Sequence, residues 1–420
     1  MTTSAASPYA RILDEFAVVA ADHPCENELG CAAHATRTVL APRPKDPLRQ
    51  ERLDRRLRSL GGTEASSFRD APGDLLDAPW SAFAASAILL HEGYIVDPAA
   101  ESSAEIEKLR VELGDRFWAT LPEVWNAWGN KGRFRRRCRE LLGERSMPPG
   151  IELVADDVGE VVAALSSFDA HPSDRTIVKL PGGGGMGNVV LSPDTRATWP
   201  DRVDALWEEN PHVPKPADLV IEAWLPWEQT YSVSFLLTPD RETTLMAVCE
   251  QRIEPTKGAW IGSRTDGPLS EADTTAMLGY LQVVIDAMAA DGCVGVVALD
   301  VIVGPGAGWA GHGLALPSGQ RLCVVECNPR WNQHNRIGLV VERLARRWRL
   351  HSDELSWSLR NIDLPVGTTL PVLLASLEDD RPGIADAPTR DRPARMVFAH
   401  RFDKAMELTV SLAGQSAPRA

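Results

Sequence analysis

No stretch of this sequence stays apolar for the roughly 20 residues that a membrane-spanning helix requires, so no membrane span is expected. Positive charge is also short: 44 lysines and arginines face 58 aspartates and glutamates, a formal net charge of -14. General nucleic-acid and anionic-membrane binding both need clustered positive charge, and neither partner is expected. Paired cysteines are missing as well. The seven present (Cys25, Cys31, Cys138, Cys249, Cys293, Cys323 and Cys327) are odd in number, scattered, and nowhere spaced C-x-x-C. That favours reduced thiols in a cytoplasm over a disulfide framework and disfavours structural zinc. The first ten residues lack the basic-then-apolar layout of a secretory signal, which again points to a cytoplasmic protein. Three nucleotide-handling signatures are absent: there is no GK[ST], no H-R-D and no D-F-G.

What is present is an ordinary globular composition, 44% hydrophobic and 24% charged, over 420 residues. That length exceeds what one core usually spans, so several domains are expected. Residues 1–120 read as a small α/β unit, with strands at 15–22 and 36–41, an irregular stretch at 42–79, and a helix at 102–121 carrying Ile106, Leu109, Leu113 and Phe117 on one face. Residues 121–218 form a second region. Residues 132–143 are helical, with Phe134, Cys138, Leu141 and Leu142 inward and five arginines on a solvated face; a second helix covers 158–168, and strands cover 176–180 and 189–191. A third region, 219–345, holds strands at 219–222, 231–238, 244–250, 294–303 and 321–328, and a helix from Ser270 to Ala290. Ser270 and Asp273 form a capping-box-like start, and Gly292 marks the stop. Residues 304–319 read as a long hairpin loop, residues 346–420 as a C-terminal extension, 382–393 as a linker and 394–400 as a last strand.

Two constellations carry chemistry. The first is the glycine cluster at 182–187, which satisfies G-x-G-x-x-G and, with Val189, the kinase pattern G-x-G-x-x-G-x-V. Glycines let backbone N–H groups approach phosphate oxygens. A dinucleotide-binding fold would start a helix here, whereas β-type residues follow, so the loop reads as a strand–loop–strand flap directly after Lys179. The second is Glu326-x-Asn328 in an otherwise apolar strand. Residues i and i+2 share a face, and a carboxylate plus an amide oxygen suit Mg²⁺. Asp300, in the preceding strand, faces the same place if the two runs pair as a hairpin.

Together these motifs resemble the ATP-grasp superfamily, which includes D-alanine–D-alanine ligase and biotin carboxylase. Residues 325–330 (VECNPR) resemble its E-x-N-x-R signature, the glycine loop its phosphate-covering hairpin, residues 221–225 (IEAWL) its adenine hinge, and Asn130-Lys131 its first lysine motif. The resemblance spans about residues 125–345 in the family's order. It implies an α/β (α+β) ATP-grasp fold behind an N-terminal pre-ATP-grasp domain. It places Lys131, Lys179 and the backbone of Gly183, Gly184, Gly185, Met186 and Gly187 on ATP phosphates. Glu222, Ala223 and Leu225 go to the adenine and Glu228 to the ribose. Asp300, Glu326 and Asn328 ligate Mg²⁺, and Arg330, with Lys179, serves catalysis. Ala298 stands where some D-alanine ligase relatives place an arginine.

ATP and Mg²⁺ are thus the expected cofactors, and the expected reaction is ADP-forming carboxylate–amine ligation through an acyl phosphate. The layout is similar to amino-acid and peptide ligases of specialised metabolism of the pheganomycin type, with glutamate one candidate donor and a homodimer an allowed assembly. Arg252, Arg264 and Arg336 are candidates for holding a substrate carboxylate, and His334 reads as a structural histidine. A small-molecule kinase, a carrier-protein aminoacylating ligase and a non-catalytic nucleotide-binding module remain as alternatives.

Overall fold

The computed structural model describes residues 7–20, 87–91, 110–168 (without 112 and 119), 175–181, 188–254 (without 211, 212 and 214), 260–362, 387–400 and 404–413. The expected strand at 36–41, the irregular stretch at 42–79 and the glycine loop at 182–187 lie outside these residues.

At the N-terminus, helix α1 (Pro8–Glu15) leads into β1 (Phe16–Ala20), which pairs in parallel with β2 (Ala87–His91), and β2 pairs with β3 (Phe117–Trp118). The helix expected over 102–121 ends sooner. Its last α-helical residue is Leu113; Gly114 takes φ +55, a left-handed conformation that a glycine adopts without steric cost, and opens a short 3-10 turn, Gly114–Arg116. Phe117 therefore lies in a strand opposite Ile88 and not on a helix face.

Two helices follow, α2 (Pro122–Gly129) and α3 (Lys131–Leu142). Asn130 caps α3 by accepting from the Arg133 amide, and Gly143 ends it at φ +91. Phe134 and Cys138 are buried as expected, but Leu141 is exposed, and Arg135 is buried at 2% exposure although all five arginines were expected in solvent. A four-stranded antiparallel sheet comes next, in the order β4-β7-β5-β6, from β4 (Gly150–Ala155), β5 (Thr176–Lys179), β6 (Asn188–Leu191) and β7 (Ala217–Ala223). Helices α4 (Val158–Ser167) and α5 (Trp199–Glu208) cover it, with Val161, Leu165, Trp199, Val203 and Leu206 in its core. The β5–β6 hairpin is closed by the pair Lys179↔Asn188, so the glycine segment does join two strands.

The remainder builds a nine-stranded antiparallel sheet, order β12-β13-β11-β8-β9-β10-β14-β16-β15. Its strands are β8 (Gln229–Leu237), β9 (Thr243–Ile253), β10 (Trp260–Arg264), β11 (Gly295–Gly304), β12 (Leu314–Ala315), β13 (Arg321–Asn328), β14 (Leu355–Ile362), β15 (Ala394–His400) and β16 (Lys404–Leu412). Helix α6 (Glu271–Ala290) covers one face. The Ser270 hydroxyl caps it by accepting from the Asp273 amide, and Met277, Leu281, Val284, Ile285 and Met288 are buried on β8 and β11. Helix α7 (Gln333–Trp348) covers the other face, and the sequence reading did not anticipate it. Asn332 and Asn335 cap its start reciprocally, and Ile337, Val340, Val341 and Leu344 form its buried stripe. This helix runs through residue 345, and β14, β16 and β15 extend the same sheet, so residues 346–420 contribute strands to the large lobe. Among the described residues no helix is long and apolar enough to cross a membrane.

Candidate active site

Strands β11 and β13 pair with Asp300 opposite Glu326 and Ala298 opposite Asn328, and the register shifts just after Asp300. Val325 is the extra residue of this bulge. Its carbonyl is thereby freed from the ladder and accepts from Lys179 Nζ at 3.3 Å. Asp300 accepts from Gln251 Nε2 at 2.8 Å and from Asn328 Nδ2 at 3.0 Å, and also from the Ser232 hydroxyl. Burial, reinforced by the Glu326 charge, pushes its carboxyl up to about 7. Two carboxylates set side by side, one of them costly to ionise, call for a cation. With the amide oxygen of Asn328 the donor set is all oxygen, which fits Mg²⁺.

Cations face this pole. Lys131, in the first turn of α3, donates to Asn188 Oδ1 at 3.0 Å and lies 3.8 Å from Glu326 Oε1. Lys179, at the end of β5, lies 2.5 Å from Glu222 Oε2. Burial lowers the Lys131 pKa, and the neighbouring charges of Lys179 and Arg330 push the same way against Glu326 and Glu222. For Glu222 burial acts upward, but Lys179 and Arg135 together outweigh it and hold the carboxyl below its ordinary range. Arg330 is half-buried and close enough to act electrostatically on both Lys131 and Asp300.

Between the two sheets lies a cleft with about 700 Å³ of empty volume. Lys179, Glu222, Gln251, Asp300 and Glu326 are among its polar lining residues, and Ile177, Trp224, Trp227 and Ile302 among its apolar ones. Apolar lining together with clustered cations and carboxylates suits a base and its phosphates. At the end of β7, the Ala223 amide donates to Pro149 O and the Trp224 amide to Arg175 O, both at 2.9 Å. Leu225 is buried in the small core that joins β7 to β11 and β13.

Of the residues expected from sequence, Lys131, Lys179, Glu222, Asp300, Glu326, Asn328 and Arg330 converge here, and Ala223 and Leu225 line the cleft. Glu228 does not join them: it is exposed and accepts from Gln320 at 2.9 Å. Arg252 and Arg264 sit on the sheet face turned away from Asp300. Strand alternation decides this, because Gln251 is the residue of β9 that shares a face with Ser232 and Asp300. Arg264 is in addition held by Glu250 at 2.7 Å. Arg336 is half-buried on α7. His334 is buried beside the Ser263 hydroxyl at 2.6 Å, and burial lowers its pKa to about 4, so it stays neutral near pH 7. The sequence reading missed Arg135 and Gln251. Arg135 follows Lys131 by four residues, which places both on one face of α3, a signal that was available.

No protein-family model and no curated protein matches this sequence. Solved structures do match. N5-carboxyaminoimidazole synthase from Aspergillus clavatus, solved with ADP and 5-aminoimidazole ribonucleotide, is 12% identical at TM-score 0.58, covering 96% of this chain and 94% of its own. Biotin carboxylase from Campylobacter jejuni, solved as a β-γ-ATP complex, is 11% identical at TM-score 0.56, covering 96% and 88%. The biotin carboxylase domain dimer of a Hydrogenobacter thermophilus 2-oxoglutarate carboxylase, solved with MgADP, ADP and bicarbonate, is 14% identical at TM-score 0.53, covering 95% and 86%. The chain therefore has the ATP-grasp fold, with its cleft between a four-stranded and a nine-stranded antiparallel sheet.

Proposed function

We propose that the protein is an ATP- and Mg²⁺-dependent ligase that activates a carboxylate as an acyl phosphate and passes it to an amine, releasing ADP and phosphate. One observation carries this reading: Asp300 stands opposite Glu326 and bonds Asn328 at a cleft that Asp300, Glu326 and Lys179 line, with Lys131 3.8 Å from Glu326 and Arg330 within electrostatic reach. A carboxylate resists attack by an amine until one oxygen becomes a leaving group, and phosphorylation by ATP provides that. Asp300, Glu326 and Asn328 would hold Mg²⁺, which would neutralise charge on the phosphoryl oxygens. Lys131 and Lys179 offset the remaining negative charge from the other side of the cleft, and Arg330 stabilises the acyl phosphate and the tetrahedral species that follows. The segment 182–187 (Gly183, Gly184, Gly185, Met186, Gly187), which joins β5 to β6, would supply backbone amides to the phosphates.

The donor is an amino-acid carboxylate, and the acceptor is the amine of a second amino acid or small peptide. Bicarbonate belongs in the donor panel, because it accompanies MgADP in one structure of the same fold. The test is ATP, Mg²⁺ and pooled amino acids, with glutamate in every pool and bicarbonate in half of them, read by phosphate release and product mass. A ligase yields ADP, phosphate and an amide or carbamate; a product that keeps the phosphoryl group would make the protein a kinase instead. Glu326→Gln should cut substrate-dependent ADP formation by at least about 100-fold in a folded protein. Turnover retained by that variant would remove the metal assignment.

A further inference from the structure

We propose that Arg135 is a positioning residue, anchoring the Glu222 carboxylate so that Lys179 can turn to a nucleotide phosphate without leaving a bare buried charge. This rests on the ATP reading above. Lys179 has two possible duties: its ammonium now lies 2.5 Å from Glu222 Oε2, and it lines the cleft where the phosphates would lie. Glu222 is 2% exposed. If Lys179 were its sole counter-charge, each approach to a phosphate would strand a carboxylate in the interior, and binding would bear that penalty.

Arg135 removes the conflict. Its Nη1 bonds Glu222 Oε1, the oxygen that Lys179 leaves alone. Its other edges are fixed: Nη2 donates to Pro148 O at 2.6 Å, and Nε lies 3.0 Å from Glu152 Oε1. Glu152 is in turn held by Arg139 at 3.2 Å. A guanidinium hydrogen-bonded through both Nη atoms, with an ion contact at Nε, is held too firmly to follow Lys179 towards a ligand, so it stays with Glu222 when the lysine moves. The backbone is shaped to admit the pair. A Cβ at Gly150 would stand 2.6 Å from Ile221 O, 2.9 Å from Glu222 Cγ and 3.2 Å from Arg135 Cζ, so β4 carries a glycine where the two side chains meet. The same helix that delivers Lys131 to the phosphate end thus delivers, one turn later, the residue that frees Lys179.

The test compares ATP with adenosine, which fills the base slot but has no phosphate. Binding to wild type, Arg135→Lys, Arg135→Met and Arg135→Met/Glu222→Gln is followed by calorimetry in Mg²⁺, and folding by circular dichroism. Arg135→Met should bind MgATP at least about tenfold more weakly, the size of one charge-assisted contact, with adenosine unchanged. The double variant, which deletes both charges, should recover most of that loss. In turnover, KM for ATP should rise more than kcat falls. Equal losses for ATP and adenosine, or unchanged ATP affinity in folded Arg135→Met, would overturn the proposal in favour of a purely structural ion pair. If the Met variant fails to fold, Arg135→Lys decides. A lysine cannot hold Glu222, Glu152 and Pro148 O together, so a phosphate-specific loss of about threefold or more supports the proposal and its absence overturns it. Wild type that binds no MgATP would instead remove the ATP reading, whatever the Arg135 variants do.

Discussion

Asp300 is the residue whose environment makes the most specific demand on conditions. Its ordinary pKa of 3.8 rises to about 7 through burial, with Glu326 adding to the effect. The sign follows directly. A carboxyl whose folded pKa is raised contributes fully to stability below its unfolded value, and that contribution is lost as pH climbs through 7. In the metal-free protein Asp300→Asn should therefore raise the melting temperature at pH 8, where wild type bears two negative charges, and change it little at pH 4. Calorimetry at the two pH values checks this, and a lower melting temperature for the variant at pH 8 would contradict it. Magnesium binds only the ionised carboxylate. Mg²⁺ affinity in the presence of nucleotide should then fall by about tenfold per pH unit below 7. A flat profile from pH 5.5 to 8 would show that Asp300 titrates elsewhere.

Among the elements, α1 and α7 are joined more tightly than their lengths suggest. The Ser7 hydroxyl donates to Glu342 at 2.6 Å, Arg346 forks onto Asp14 at 2.7 and 2.9 Å, and the Tyr9 ring lies over Gly338. A Cβ at 338 would stand 2.1 Å from Tyr9 Cζ, closer than any real contact, so the glycine is what lets the helices approach. Gly338→Ala should destabilise the protein by about 1–3 kcal/mol through overpacking, despite alanine's better helix propensity. Denaturant unfolding measures it, and a gain in stability would mean that α1 is free to move aside. The start of α7 also reaches the site: Asn332, its cap, donates to the Ser232 hydroxyl at 3.2 Å, and Ser232 in turn holds Asp300.

On the scale of the molecule, nucleotide would lie between two separately cored lobes, so binding should stabilise the whole. MgATP at about 100 times its dissociation constant should add roughly 2.7 kcal/mol, read as a rise in melting temperature. Adenosine should give a smaller rise, and omission of Mg²⁺ should weaken the ATP effect in wild type but hardly at all in Glu326→Gln. A melting temperature indifferent to nucleotide would argue that the cleft binds something else.

Local chemistry was legible because it follows from short spacing. Glu326 and Asn328 share a face by strand alternation, the β5–β6 hairpin follows from β-type residues on both sides of the glycines, and Ser270 and Gly292 bound α6 at its two ends. What pairs with what across long separations was not legible. Arg252 is one of three candidate carboxylate clamps in the sequence, with Arg264 and Arg336, but register turns Gln251 to the site and Arg252 away. The sequence reading left the arginines of α3 in solvent, because no local pattern shows that β7 will bring Glu222 to meet one of them. The strand at 394–400 was legible, but α7 and the strands β14 and β16 were not, because contacts with distant strands hold them in place. By itself, then, the sequence determined the kinds of groups available and their order along the chain, because spacing fixes which neighbours share a face. Only the tertiary structure decided which face looks into the cleft and which charges meet there, because those depend on register and burial between distant strands.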